Sequence, residues 1–142
     1  MVVADVEEST AGAAPAGTRI RVILADDNRG LMAELLRILC WEFEIVATVP
    51  NGRELLEAYD RYKPDVVVTD ISMPVLDGFA AAEALGRMGN PPVIFFTIHD
   101  DPAFLEEAKT LGAAGYVVKG CPPSVLAKAI RSAYHGRSNG PH

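Results

Sequence analysis

The chain has 142 residues, the length of one domain, and 49% of them are hydrophobic while 23% are charged, which favours a folded chain over a disordered one. Its formal net charge of −6 argues against direct nucleic-acid binding, which needs a basic surface to displace counterions from phosphates. No run approaches the roughly 20 apolar residues that cross a bilayer. The N-terminus lacks the pattern of a signal peptide. We therefore expect a cytoplasmic protein without membrane contact.

Short apolar runs alternate with helical patterns from Arg19 onwards. Residues 1–18 are rich in Ala, Gly, Ser, Thr and acids without periodicity, and we expect a flexible tail there. In chain order, the first predicted elements are a strand at Ile20–Ala25, a helix capped by Asn28, a strand at Phe43–Val49, a helix at Glu54–Tyr62 and a strand at Val66–Val68. They are followed by a helix at Phe79–Met88, a strand at Val93–Phe96, a helix at Pro102–Thr110 capped by Asp101 and a strand at Gly115–Val118. The last element is a helix marked by Val125, Leu126, Ala129, Ile130 and Ala133.

The third and fourth strands, VVV and VIFF, are apolar throughout, which is typical of parallel strands covered on both faces. Five strands that alternate with five helices predict an α/β domain with a doubly wound parallel sheet. Right-handed crossovers favour the flavodoxin-like strand order 2-1-3-4-5. We expect this domain to span residues 19–136, and residues 137–142 to be a C-terminal tail or the start of a linker.

Polar side chains occupy the ends of four predicted strands. Asp26 and Asp27 follow the first strand, Asp70 follows the third, Thr97 follows the fourth and Lys119 follows the fifth. The second strand, at the edge of the predicted sheet, ends without a comparable residue. In an open α/β sheet, ligands bind beyond the carboxyl ends of the strands. We therefore expect these five side chains to share one crevice.

Three carboxylates in one crevice repel one another unless they are protonated or neutralised. Mg²⁺ prefers oxygen ligands and would let an anionic phosphoryl donor approach the acids. A carboxylate can act as a nucleophile and form an aspartyl phosphate, so Asp70 is the predicted acceptor, with Lys119 and Thr97 on phosphoryl oxygens. Taken singly, each residue has a simpler interpretation: Asp26 and Asp27 as acids near a helix N-terminus, Thr97 as a strand residue and Lys119 as a solvated lysine.

Four segments, in order and suitably spaced, resemble those of one protein family. They are ILADDN (23–28), VVVTDISMPVLDGF (66–79), FFTIHD (95–100) and GAAGYVVKG (112–120). From about Arg19 to Gly136 the chain resembles the receiver domain of bacterial two-component response regulators. The resemblance implies a signalling domain that phosphorylates and slowly dephosphorylates itself, and not a metabolic enzyme.

The resemblance also implies a role for each matching residue. Asp70 matches the aspartate that a sensor histidine kinase phosphorylates, and Thr97 and Lys119 match the pair that binds the phosphoryl group. Tyr116 matches the aromatic side chain whose rotamer follows that of Thr97 on phosphorylation. The implied ligands of Mg²⁺ (or Mn²⁺) are Asp26, Asp27, Asp70 and the backbone carbonyl of Ser72.

In such proteins, phosphorylation biases a two-state surface formed by the fourth helix, the fifth strand and the fifth helix. We expect that surface to form a homodimer or to meet an output partner. Lys119-Gly120 and the Ala-Ile-Arg of 129–131 resemble the subgroup of receivers with a C-terminal helix-turn-helix. The expected output is regulation of transcription if a DNA-binding domain follows, and protein–protein signalling otherwise.

Three positions depart from the family pattern. Ile98 is bulky where the residue after the threonine is usually small, and we expect it to narrow access to Asp70. His99, the next residue, could contact the attacking water or be merely exposed, and we favour exposure. The family often has a proline after the lysine, joined by a cis bond. Here Gly120 stands at that position, and the sequence leaves the geometry of its peptide bond open.

An aspartyl-phosphate-forming phosphohydrolase of the haloacid dehalogenase type is the alternative function. Such enzymes carry Asp-x-Asp after the first strand, and the second aspartate acts as acid and base. Here the predicted nucleophile follows the third strand, and Ser72 occupies the position of the second aspartate. This difference disfavours efficient phosphatase activity.

Overall fold

Five strands alternate with five helices along the chain. A computed structural model describes residues 19–139, so the tail expected at residues 1–18 lies outside the described residues. Within the described part, no helix has the length and apolarity that crossing a membrane requires. The elements are β1 (Arg21–Ala25), α1 (Arg29–Leu39), β2 (Glu44–Val49), α2 (Gly52–Tyr62), β3 (Val66–Thr69), α3 (Gly78–Met88), β4 (Val93–Thr97), α4 (Pro102–Thr110), β5 (Gly115–Val118) and α5 (Pro123–Asn139).

The five strands form one parallel sheet in the order β2-β1-β3-β4-β5. This arrangement confirms the predicted flavodoxin-like α/β fold. The last residues of neighbouring strands lie side by side, since Ala25 pairs with Thr69 and Thr97 pairs with Val118. The residues that follow these strands therefore meet at one edge of the sheet. At the other end of the chain, α5 continues to Asn139, past Gly136, where we expected a tail to begin.

Two apolar layers cover the two faces of the sheet. Alternate residues of each strand point to opposite faces, so Val22 and Leu24 lie in one layer while Ile23 and Ala25 lie in the other. The first layer contains Leu35 of α1, Leu126 and Ile130 of α5, and the second contains Leu55 of α2, Leu85 of α3 and Ala108 of α4. This two-sided burial explains why the strands are apolar without alternation.

Helix caps fix where three of the helices begin. The side chains of Asn28, Asn51 and Asp77 each accept a hydrogen bond from the backbone N–H three residues further on. The predicted cap at Asn28 is therefore confirmed. Asp101 occupies the predicted N-cap position of α4, but the predicted capping hydrogen bond is wrong, because its side chain accepts none from the helix. At that helix, Pro102 sets the backbone of the first turn instead.

Gly78 lets α3 begin directly against the backbone of Asp70. Its N–H donates to the carbonyl of Ile71 at 2.7 Å. A Cβ at this position would lie 2.0 Å from the carbonyl oxygen of Asp70, far inside van der Waals contact. The glycine thus brings the start of a helix against the strand end that carries a candidate site residue.

We expect Gly78→Ala to destabilise the domain by about 1–3 kcal/mol, because backbone atoms must move to admit the methyl group. Gly86→Ala, in the same helix, is the matched control. A Cβ there meets nothing closer than 3.9 Å, so alanine should raise stability by about 0.5–1 kcal/mol. Urea unfolding of both variants measures the difference, and equal effects would contradict the close approach of α3.

Candidate functional site

The structure brings four of the predicted site residues into one cluster. The Lys119 ammonium lies 2.6 Å from Asp26 Oδ2 and 3.0 Å from Asp70 Oδ2. Asp26, Asp27 and Asp70 each contribute a carboxylate oxygen to a group whose members lie within 4.8 Å of one another. Asp26 follows β1, Asp70 follows β3 and Lys119 follows β5, so the strand order itself gathers these charges.

Asp26 is held by the backbone around it. Its N–H donates to Val49 at 2.9 Å, which extends the pairing of β1 and β2, and its Oδ1 accepts from the N–H of Asn28 at 2.9 Å. The residue is 3% exposed. Its Oδ2 is in ionic contact with Lys119 but has no aligned hydrogen-bond donor among the described residues. One buried carboxylate oxygen therefore keeps an unused acceptor position.

Asp70 is similarly fixed at the end of β3. Its N–H donates to Ala25 at 2.9 Å, and its Oδ1 accepts from the N–H of Ile71 at 2.7 Å. The Oδ2 atom faces Lys119, and the residue is 7% exposed. Asp27, in contrast, is exposed. The cluster thus combines two buried acids, one exposed acid and one ammonium.

The charges of this cluster are incompletely balanced. Burial raises the pKa of the Asp26 carboxyl above its ordinary value, and the charge of Asp70 adds to the rise, although Lys119 and the Asn28 N–H act against it. Burial by itself would lower the pKa of Lys119, but its contacts with Asp26 and Asp70 outweigh burial, and that pKa is raised. The contacts therefore favour the charged form of Lys119, while burial disfavours the charged form of Asp26.

Thr97 and Tyr116 are linked through the backbone of His99. Thr97 is fully buried at the end of β4, and its Oγ1 accepts from the N–H of His99 at 3.3 Å. The carbonyl of His99 accepts from the Tyr116 hydroxyl at 2.8 Å. Burial raises the pKa of this phenol, with the charges of Asp101, Asp100 and Asp70 adding to the effect.

The expectation that His99 is simply exposed is wrong. The residue is half-buried, its Nε2 lies 2.9 Å from Ser72 Oγ, and its ring centroid lies 4.3 Å from that of Phe104. Ser72 itself is exposed. Sequence spacing contained a signal for this pair, because Ser72 and His99 each stand two residues after a site residue, Asp70 or Thr97, on adjacent strands.

The peptide bond after Lys119, which the sequence left open, is trans, as is every described peptide bond. Gly120 has φ +105°, a conformation that side chains with a Cβ rarely adopt. Proline, whose φ is fixed at about −65°, cannot adopt this conformation. The glycine therefore belongs to a turn after β5 that differs from a Lys-Pro turn.

A parallel α/β sheet with paired acids after β1, an acid after β3 and a lysine after β5 defines a class of signal-receiving domain. The family model described as "Response regulator receiver domain" matches residues 22–131. The chain belongs to this family, so it is a receiver domain of the two-component signalling systems. The predicted family is confirmed, and the phosphohydrolase alternative is not favoured.

Curated relatives include full-length regulators. The chain is 36% identical over 121 residues to the "Uncharacterized transcriptional regulatory protein YvfU" of Bacillus subtilis (strain 168), which covers 83% of this chain and 60% of that protein. It is 31% identical over 121 residues to the "Transcriptional regulatory protein DegU" of Brevibacillus brevis, covering 83% of this chain and 51% of that protein. The chain thus spans between about half and 60% of the length of these relatives.

Among solved structures, the signal receiver domain of the putative response regulator NarL from Mycobacterium tuberculosis is similar to this chain. The TM-score is 0.80 and the sequence identity 29%, over 84% of this chain and 98% of that one. A DNA-binding response regulator of the LuxR family from Staphylococcus aureus has a TM-score of 0.77 at 26% identity, over 81% of this chain and 98% of that one. These structures share the receiver fold.

We expect Asp26→Asn to stabilise the metal-free domain at pH 7, because it removes a carboxylate whose pKa is raised by burial. The direction of the pH dependence follows from this raised pKa. In the wild type, the free energy of unfolding falls as the pH rises from the pKa of Asp26 in the unfolded state, about 4, through its pKa in the folded state. The variant's advantage should therefore vanish at low pH. Chemical unfolding in EDTA across this range measures it.

Asp60→Asn, at an exposed position on α2, is the matched control and should change stability by no more than about 0.5 kcal/mol. A gain for Asp26→Asn that is no larger than this, or that does not grow with pH, would contradict the charge imbalance.

Proposed function

We propose that Asp70 accepts a phosphoryl group from a sensor histidine kinase and that its modification switches an output surface. The observation that carries this proposal is the buried Asp70 carboxylate at the carboxyl edge of the sheet, in contact with Lys119 and beside two further acids. Membership of the receiver family supports the same assignment. The protein then acts as a signalling switch and not as a metabolic enzyme.

The acidic cluster fits Mg²⁺ (or Mn²⁺). Asp26, Asp27 and Asp70, together with the backbone carbonyl of Ser72, would hold the ion, and all four ligands are oxygen atoms of the kind that hard cations prefer. The buried Asp26 Oδ2 without an aligned donor supports the fit. Three carboxylates against one ammonium also leave an excess negative charge. When bound, the ion would screen the anionic donor from these acids and favour in-line transfer.

In the proposed reaction, a carboxylate oxygen of Asp70 attacks the phosphorus of phosphohistidine, and the kinase imidazole leaves. Lys119 exchanges a carboxylate partner for a phosphoryl oxygen, a role that suits a compact cation on a flexible stem. Thr97 donates its hydroxyl to another phosphoryl oxygen. The Ile71 N–H continues to hold Asp70 Oδ1, which fixes the orientation of the carboxylate during attack.

The proposed switch starts at Thr97 and ends at the surface of α4, β5 and α5. A Thr97 hydroxyl that turns towards a phosphoryl group gives up the N–H of His99, whose carbonyl holds Tyr116. Tyr116 is then free to change rotamer, and the surface is biased towards homodimer formation or an output partner. The relatives named as transcriptional regulators support regulation of transcription, through a DNA-binding domain, as the output of the whole protein.

Incubation with acetyl phosphate and Mg²⁺ should add one phosphoryl group to the wild type, because a small donor needs only the acceptor and the cation site. Asp70→Asn should gain none, and EDTA should prevent the gain in the wild type. Intact-mass spectrometry reads the result. Asp60→Asn, an exposed acid on α2, is the control and should label normally. Labelling that survives Asp70→Asn, or that needs no metal, would overturn the proposal.

We predict that Ile98, which is 71% exposed in the loop directly after Thr97, narrows the approach to the nearly buried Asp70, so Ile98→Ala should speed phosphorylation by acetyl phosphate several-fold. Stopped-flow or quenched time courses at saturating Mg²⁺ measure the rate. Met88→Ala removes an apolar side chain that is less exposed (40%) at the end of α3, away from the edge of the sheet that carries Asp70, and should leave the rate unchanged. Equal phosphorylation rates for the wild type and Ile98→Ala would contradict this prediction.

A further inference from the structure

A side-chain hydrogen bond joins the loop that follows Asp70 to the loop that follows Thr97. Ser72, in the loop between β3 and α3, contacts His99, in the loop between β4 and α4, with 2.9 Å between Oγ and Nε2. The two residues are 27 positions apart in sequence. Each stands two residues beyond a proposed phosphoryl-site residue, so their bond ties together the loops that follow β3 and β4 beside that site.

His99 is also tied to three other elements. Its N–H donates to Thr97 of β4, its carbonyl accepts from Tyr116 of β5, and its ring packs on Phe104 of α4. The bond to Ser72 adds to this group a side-chain contact from the β3–α3 loop, which lies outside the β4, α4 and β5 region. A change in the position of His99 must therefore disturb the neighbours of both Thr97 and Tyr116.

The helix that follows this loop is weakly held. Among the described helices, α4 buries a single residue, Ala108, whereas α1 buries Met32, Leu35 and Leu39. The start of α4 also lacks a side-chain cap at Asp101. Elements with little buried apolar surface are the ones that shift at low cost in free energy. A contact that fixes His99 against Phe104 thus acts on the most easily displaced helix.

We propose that His99 is a positioning residue, and that the Ser72–His99 hydrogen bond is a latch that stabilises the unphosphorylated arrangement of the β4–α4 loop. This inference rests on the proposed function of Asp70. In the proposed switch, Thr97 releases the His99 N–H as it turns towards a phosphoryl oxygen, and the latch opposes the accompanying movement of the loop. The latch therefore sets how readily the domain enters its switched state.

The size of the effect follows from the worth of one hydrogen bond. The net free energy that one hydrogen bond usually contributes changes a two-state equilibrium by about 2- to 10-fold. A ligand that selects the switched state then binds more tightly by the same factor when the latch is absent, as long as that state is the minor one. Loss of either partner removes the whole bond, so the effects of the two losses should not add.

Beryllofluoride with Mg²⁺, a phosphoryl mimic, tests the latch through backbone NMR shifts of α4 and β5 during titration. Ser72→Ala and His99→Leu should each tighten apparent binding by about 2- to 10-fold, and the double variant should match the single ones. His99→Gln offers a side-chain amide at similar reach and should restore weaker, wild-type-like binding. Asp60→Asn, at an exposed position on α2 and outside the proposed output surface, is the control and should have no effect.

Unchanged binding in both single variants, or fully additive effects in the double variant, would overturn the latch. Amide hydrogen exchange without beryllofluoride gives a second, independent readout: the His99 N–H should exchange about 2- to 10-fold faster in Ser72→Ala than in the wild type. If the wild type does not bind beryllofluoride, the proposed function of Asp70 fails. The exchange rate then still decides whether Ser72 holds the loop, and an unchanged rate would refute the latch.

Discussion

The contact of the Lys119 ammonium with the carboxylates of Asp26 and Asp70 is the interaction on which the rest of the site depends. It lets two nearly buried acids lie at the edge of an apolar sheet, where either alone would carry a large desolvation cost. The compensation is partial, because the pKa of Asp26 remains raised. The same incomplete balance that costs stability would favour a divalent cation at the cluster, and in the proposed function that cation lets an anionic phosphoryl donor approach.

The topology of the sheet makes this contact possible. Lys119 and Asp70 are 49 residues apart in sequence, and they meet because β3, β4 and β5 are adjacent and parallel. Strands buried on both faces give the charged edge a rigid base, and Gly78 brings α3 directly against the Asp70 backbone. Backbone packing next to the charges therefore helps to determine their spacing, so a substitution at Gly78 would also affect the candidate site.

The sequence predicted the parts of this arrangement that depend on periodicity and on strand ends. Continuous apolar strands predicted a parallel sheet covered on both faces, and right-handed crossovers favoured its strand order. That order predicted that Asp26, Asp27, Asp70 and Lys119 lie close together. The environment of His99 was predicted wrongly, because contacts between two loops depend on backbone conformations that no hydrophobic pattern records. The predicted capping hydrogen bond of α4 is also wrong. Asp101 has the residue type and position of a cap, but its side chain makes no hydrogen bond to the helix.

The shortness of the β4–α4 loop explains how a small movement at Thr97 can reach a surface. Four residues, 98–101, separate the end of β4 from the first residue of α4, so the loop has little slack to absorb a displacement. Within it, the peptide groups of His99 connect Thr97 to Tyr116, and its ring touches α4. In α4 only Ala108 is buried and Phe104 is partly buried against the core, so few apolar contacts oppose movement of this helix. In the proposed switch, the polar contacts of the loop therefore contribute to the free-energy difference between the two arrangements, and a phosphoryl group at Asp70 would change those contacts.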